Sequence, residues 1–285
     1  MVLIIVFTSV SLFSGCALTT RMMVDMSSPV VDQMNDSFNK TCDIQIIRES
    51  MPFTVAGLSG LIDISPKNRS FLLNGAHGYF AYAFSFVEDT DEARASRLYL
   101  KSRDYGMRIL FKNEAPFILD KPLAEFERQV KRIRKKDVPA LFWTTLSWLS
   151  YIRLNLSNVR VFLDVPKAES MIRRLIELDG TYYFGSPYLA MACFYADQPE
   201  ISGGNPAKAK EYFEKAIEIS NGKFLMHHLF FAKYYAVRKQ DKVLYMNLLT
   251  HIMDTPGDIL PDHCAVTAVC KLKAEQLMDH VDDYF

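Results

Sequence analysis

After residue 45, apolar positions recur every three to four residues with polar ones between them, and Pro, Gly and Asn separate the stretches. That period lays side chains at i, i+3 and i+4 along one helix face, whereas a strand alternates every second residue. Strand signals are scarce beyond residue 45. The pattern predicts an all-α chain, and successive helices of similar length invite a search for repeats.

A tetratricopeptide-type unit is a helix pair of about 34 residues, in which small residues let the helices approach and aromatics fill the gap to the next pair. One unit fits without insertion: His228, Phe231, Ala232 and Tyr235, then Leu244, Leu248 and His251, closed by Pro256. A second has Tyr188, Met191, Ala192 and Tyr195, then Ala209, Phe213 and Ala216. Its turn, "DQPEISGGN", exceeds the repeat norm by about five residues. A third sets Trp143, Leu146 and Ser147 against Ala168, Ile172 and Leu175, across a longer turn still. A fourth begins at Leu72, Gly75, Ala76 and Tyr79 and continues into "ARASRLYLKSRDYGMRILFK". The expectation is a superhelical array of about four degenerate tetratricopeptide-like hairpins within residues 45–285, its last segment, 259–285, forming a closing helix.

The first residues have another pattern. "MVLIIVFTSVSLFSGC" is apolar from Val2 to Phe13, too short for a membrane-spanning helix and about the length of a signal-peptide core. Small residues Ser14 and Gly15 directly before Cys16 resemble a bacterial lipobox, although no Lys or Arg precedes the apolar run. The expected organisation is a lipoprotein signal peptide at 1–15, a lipid-attached tether at 16–44 with Cys16 as the lipid site, and the helical domain at 45–285. Of the other cysteines, Cys42, Cys193, Cys264 and Cys270, none forms C-x-x-C. Export permits disulfides, but the spacing favours four buried free thiols.

Composition narrows the function. Lys plus Arg and Asp plus Glu both total 33, so the chain lacks the basic excess of a nucleic-acid surface. "SGGNPAKAKEYFEKAIEIS" invites comparison with a phosphate loop, but such a loop needs a second Gly before its Lys and a strand before the first. It reads instead as a turn in which Gly203 and Gly204 permit positive φ, Asn205 caps and Pro206 opens a helix. That helix carries an apolar stripe of Ala209, Tyr212, Phe213, Ala216 and Ile217, and Glu211 and Lys215 at ion-pair spacing. "VKRIRKKD" reads as a solvated helix end before a new start at Asp137. The six histidines form no H-E-x-x-H, no nucleophile motif occurs, and no metal site, cofactor or catalytic residue is assigned.

The chain is rich in aromatics, with 20 Phe and 14 Tyr. Most serve packing between hairpins. A solenoid curling on itself would also leave an aromatic-lined cavity suited to an apolar ligand with a polar head. The lining candidates are His77, Tyr79, Trp143, Tyr182, Tyr183, Tyr188 and Tyr195.

"FAYAFSFVED", "DVPALFWTTLSWLSYIRLN", "GGNPAKAKEYFEKA" and the terminal "DDYF" occur in order along the chain. Together they resemble the T-component of tripartite ATP-independent periplasmic (TRAP) transporters, a family of tetratricopeptide-like lipoproteins. The resemblance implies a periplasmic, lipid-anchored homotrimer that associates with the transporter's substrate-binding P-component and passes a small apolar ligand, an organic acid, through a channel in each protomer. It carries no catalytic motif. The alternative reading is a structural scaffold lipoprotein for envelope or secretion assembly, which an open groove without an internal cavity would favour.

Overall fold

The structure, a computed structural model, describes residues 19–198 and 203–285. The described residues are helical apart from turns and connections, with no strand among them. A helical run over 19–26 leads into α1 (Ser28–Asn39) and then α2 (Ile44–Ile64). α3 (Arg69–Tyr82) continues through a π-helical turn, Ala83–Val87, and pairs with α4 (Glu92–Phe111). α5 (Leu123–Lys131) is amphipathic and short. α6 (Val138–Leu154) pairs with α7 (Val165–Asp179), and α8 (Tyr182–Asp197) with α9 (Pro206–Ile219). α10 (Met226–Phe230) runs on through a π-helical stretch, Phe231–Ala236, and packs on α11 (Lys242–Asp254). α12 (Cys264–Asp279) ends the order.

These starts have local causes. Asp43, Asn68, Asp91, Asn205 and Asp241 each accept a hydrogen bond from a first-turn backbone N–H, which satisfies a donor the helix itself leaves open. Pro206 comes directly after the Asn205 cap, and Gly203, but not Gly204, takes positive φ, at 101°. The apolar stripe of α9 is placed as expected, with Ala209, Phe213 and Ala216 fully buried. The expected Glu211–Lys215 pair is absent. Lys215 instead lies 4.1 Å from the centre of the Tyr188 ring, and Lys210 pairs with Glu214. The basic residues Lys131, Arg132, Arg134, Lys135 and Lys136 are all exposed.

The predicted helix pairs therefore exist as hairpins, and the chain then closes on itself. α12 packs against α1 and α2, so the last helix meets the first ones. Cys42 and Cys264, 222 positions apart, form a disulfide there, which corrects the expectation of four free thiols. Sequence spacing could not show this, because only tertiary closure brings the two together. Cys193 and Cys270 are free. Within the stretch read as a tether, residues 19–39 are mostly helical and tied down by polar bonds. Asp25 accepts from Ser65 and Asn68, and Asp32 from Ser70 and Asn74. Cys16, the signal segment 1–15 and residues 199–202 of the long α8–α9 turn lie outside the described residues.

Candidate functional site: an aromatic cavity with a charged wall

The ring of helices encloses a cavity of about 1000 Å³, mostly apolar in lining. Val30 and Met34 of α1, with Ile46 and Phe53 of α2, belong to its lining and are exposed, so the cavity opens between these helices. Deeper, Phe80, Phe84, Phe142, Trp143, Phe224 and Phe230 supply the aromatic walls.

Three sequence candidates meet in this cavity. His77 stacks on Trp143 with ring centres 4.1 Å apart, and Tyr183 meets Trp143 edge-on at 5.4 Å. Burial, assisted by His263, pushes His77 down to about 4, so its imidazole is neutral at physiological pH. Tyr183 is held in place by unusual backbone. Tyr183, Phe184 and Gly185 have φ of 45°, 63° and 84°, forming a left-handed turn between α7 and the regular part of α8. Gly185 is required there on a second count, since a Cβ would press on Ile219 at 2.9 Å. Two successive non-glycine residues in this region are costly, and such strain concentrates at functional positions.

The other four candidates sit outside the lining. Tyr79 is buried against α2, hydrogen-bonded to Ser59 at 2.7 Å and edge-on to Tyr105. Tyr182 packs edge-on against Phe142. Tyr188 and Tyr195 both stack on Tyr212, across the α8–α9 hairpin. These four side chains pack between helices instead.

Sequence patterning did not pick out the charged wall. Arg153 and Asp197 line the cavity beside Tyr234. Behind them, Arg153 lies 2.7 Å from Glu88, and Lys233 lies 3.5 Å from Glu88 and 3.3 Å from Asp89. Lys273 of α12 pairs with Asp89, and Tyr99 donates to Glu88 at 2.5 Å. Burial opposes ionisation of Glu88, but Arg153, Lys233, Tyr99 and Lys273 outweigh it and hold the carboxyl below its usual range. Asp197 goes the other way: burial pushes it up to about 6, against the pull of Arg153 and Arg238.

Both π-helical turns serve this wall. A π turn inserts one residue and re-aims the side chains after it, and it occurs often at functional sites. Ala83–Val87 delivers Glu88 and Asp89, with the Glu88 N–H bonded five residues back to Ala83. Phe231–Ala236 carries Lys233 and Tyr234. The usable sequence signal was a lone charge inside an apolar run, as in "LSWLSYIRLN", "MACFYADQ" and "LFFAKYYAV". Among the described residues, no group of three or more His, Cys, Asp or Glu is placed to hold a metal, and no helix is long and apolar enough to cross a membrane.

An uncharacterized protein of Treponema pallidum (strain Nichols) is 23% identical over 265 residues, covering 87% of this chain and 82% of that protein. The model of the TRAP transporter T-component family matches residues 40–285, which takes in every cavity-lining helix except α1. The chain therefore belongs to the TRAP transporter T-component family, and its role is that of an accessory component of such a transporter.

Proposed function

We propose that this protein takes up a small, largely apolar ligand in its central cavity and works beside the substrate-binding P-component of a TRAP transporter. The observation that carries the reading is the cavity: about 1000 Å³, aromatic-walled and open between α1 and α2. Ligand sites are concave, apolar and furnished with a few polar groups, and here those groups are His77, Tyr183, Arg153 and Asp197. An enclosed space of this kind is what the scaffold alternative lacks a use for.

The finer organisation rests on the family resemblance. The hairpins form a tetratricopeptide-like superhelix, three copies assemble, and lipid on Cys16 holds the protein at the periplasmic face of a membrane. The Cys42–Cys264 disulfide supports an oxidising compartment independently of the N-terminal signal. Immobilised protein should retain the cognate P-component from a purified mixture. Recovery of none across a range of salt concentrations overturns the partnership.

A further inference from the structure

The helical run over 19–26 and α1 carry two apolar rows, whereas a helix lying on a globular body needs only one. In the first row, Val24, Val31 and Phe38 follow one another at seven residues, are partly buried and pack against the core. The polar side chains tie the helix down beside that row. Asp25 accepts from Ser65 and Asn68, Asn68 also donates to Ser28, and Asp32 accepts from Ser70 and Asn74, so the bonds go to α3 and the turn before it. Arg21, Asp25, Asp32 and Asp36 follow one another at four or seven residues, which keeps the charges on that same flank. The second row is Met22, Met26, Val30 and Met34. It repeats every four residues along the other side, and its members are 61% to 72% exposed. Across the mouth of the cavity, Ile46 and Phe53 of α2 are 55% and 83% exposed. A contiguous apolar surface of this kind marks a face that another body covers.

We infer that this face docks on a lipid bilayer, with the helix through 19–39 lying in the membrane plane and the mouth of the cavity resting on the lipid. The occupant follows from what the row is joined to. The apolar run Val2–Phe13 and Cys16 stand directly upstream of Met22, with only a few residues between. Held at a membrane by that run or by lipid on Cys16, the chain brings the row to the lipid before any other part of the fold. An apolar, uncharged side turned outward suits a helix that lies in the interface. Among the described residues no helix is long and apolar enough to cross a membrane, so lying on the surface is the arrangement open to this one. Methionine supplies three of the four side chains in the row, and its flexible thioether adapts to a fluid surface. This deepens the membrane placement proposed above by naming the face that meets the lipid, and it does not depend on what the cavity holds.

Val30, Met34, Ile46 and Phe53 belong both to this face and to the cavity lining. Docking therefore turns the opening between α1 and α2 toward the acyl chains, and an apolar molecule passes between bilayer and cavity without crossing water.

The test uses the full chain in vesicles of dioleoylphosphatidylcholine, prepared with and without brominated acyl chains, which quench tryptophan on contact. Met34→Trp and Phe53→Trp put reporters on the face, and emission is read as the difference from the native chain. Val243→Trp is the control, at a residue 72% exposed beside the C-terminal end of α12, where Lys242 pairs with Asp282. Both face reporters should lose emission in the brominated vesicles, and Val243→Trp should not. Adding Met22→Glu and Met26→Glu, both exposed and outside the cavity lining, to Phe53→Trp should abolish that loss. If the chain floats with the vesicles but neither face reporter is quenched, or the control is quenched equally, or quenching survives the two Glu substitutions, the docking face falls and the membrane placement stands. If those substitutions instead lower the mass of the assembly in detergent, the face lies between copies of the chain and the inference is overturned. A chain that does not float with the vesicles overturns the docking face and the membrane placement together.

Discussion

Asp197 and Glu88 sit on one wall and titrate in opposite senses, so they contribute oppositely to how stability depends on pH. Glu88 has a folded value below its unfolded one, so its contribution is present above about 4.5 and is lost as pH falls further. Asp197 is raised from 3.8 to about 6, so the folded state holds its proton more tightly, and stability declines as pH climbs between those values. Replacing Asp197 by Asn should therefore stabilise the protein by about 2 kcal/mol at pH 7.5 and by almost nothing near pH 4, read from urea unfolding. Gly106 makes a different kind of demand. A Cβ there would overlap Thr144 Oγ1, and that hydroxyl is already committed to the Ala140 carbonyl at 2.6 Å. Gly106→Ala should cost about 1–3 kcal/mol, because α4 and α6 cannot part without opening the core.

At the level of the element, most of the helical order was legible because amphipathic period and capping chemistry are local. The α9 helix shows this: "SGGNPAKAKEYFEKA" carries its turn, cap, first residue and buried stripe in sequence. Its cap is one hydrogen bond, from the Lys208 N–H to Asn205 at 3.0 Å. Asn205→Ala should cost about 1 kcal/mol in the same unfolding measurement, with the cavity unchanged. The π turns were not legible. Nothing in "AFSFV" or "FAKYYA" departs from ordinary helical patterning. They are stabilised by tertiary partners, the Glu88–Arg153–Lys233 contacts, that only the assembled wall supplies. The same reason separates the seven aromatic candidates. Repeat register says that a Tyr lies between helices, but whether it faces a neighbour, as Tyr188 and Tyr195 do, or the cavity, as Tyr183 does, depends on how the hairpins curl.

At the scale of the whole molecule, closure is the decisive event. Hairpin order was readable, but the return of α12 onto α1 and α2 joins residues about as far apart as the chain allows. The Cys42–Cys264 bridge fastens that return, and the Asp89–Lys273 pair ties α12 to the α3–α4 connection as well. Reducing the disulfide, or replacing both cysteines by Ser, should lower stability by about 2–4 kcal/mol, since the bridge restricts a very long loop in the unfolded chain. Ligand binding should weaken with it, because α1 and α2 form the cavity rim.

The central claim, that the cavity is where a small apolar molecule binds, has a built-in reporter. The chain has two tryptophans: Trp143 lines the cavity, whereas Trp148 is fully buried beside Phe126 and Asp164. Titrating 1-octanol while following tryptophan emission in the native chain, Trp148→Phe and Trp143→Phe tests the claim most directly. The account predicts a saturable change in the native chain and in Trp148→Phe, and none in Trp143→Phe. A saturable change that survives in Trp143→Phe, or no change in any of the three, would contradict it.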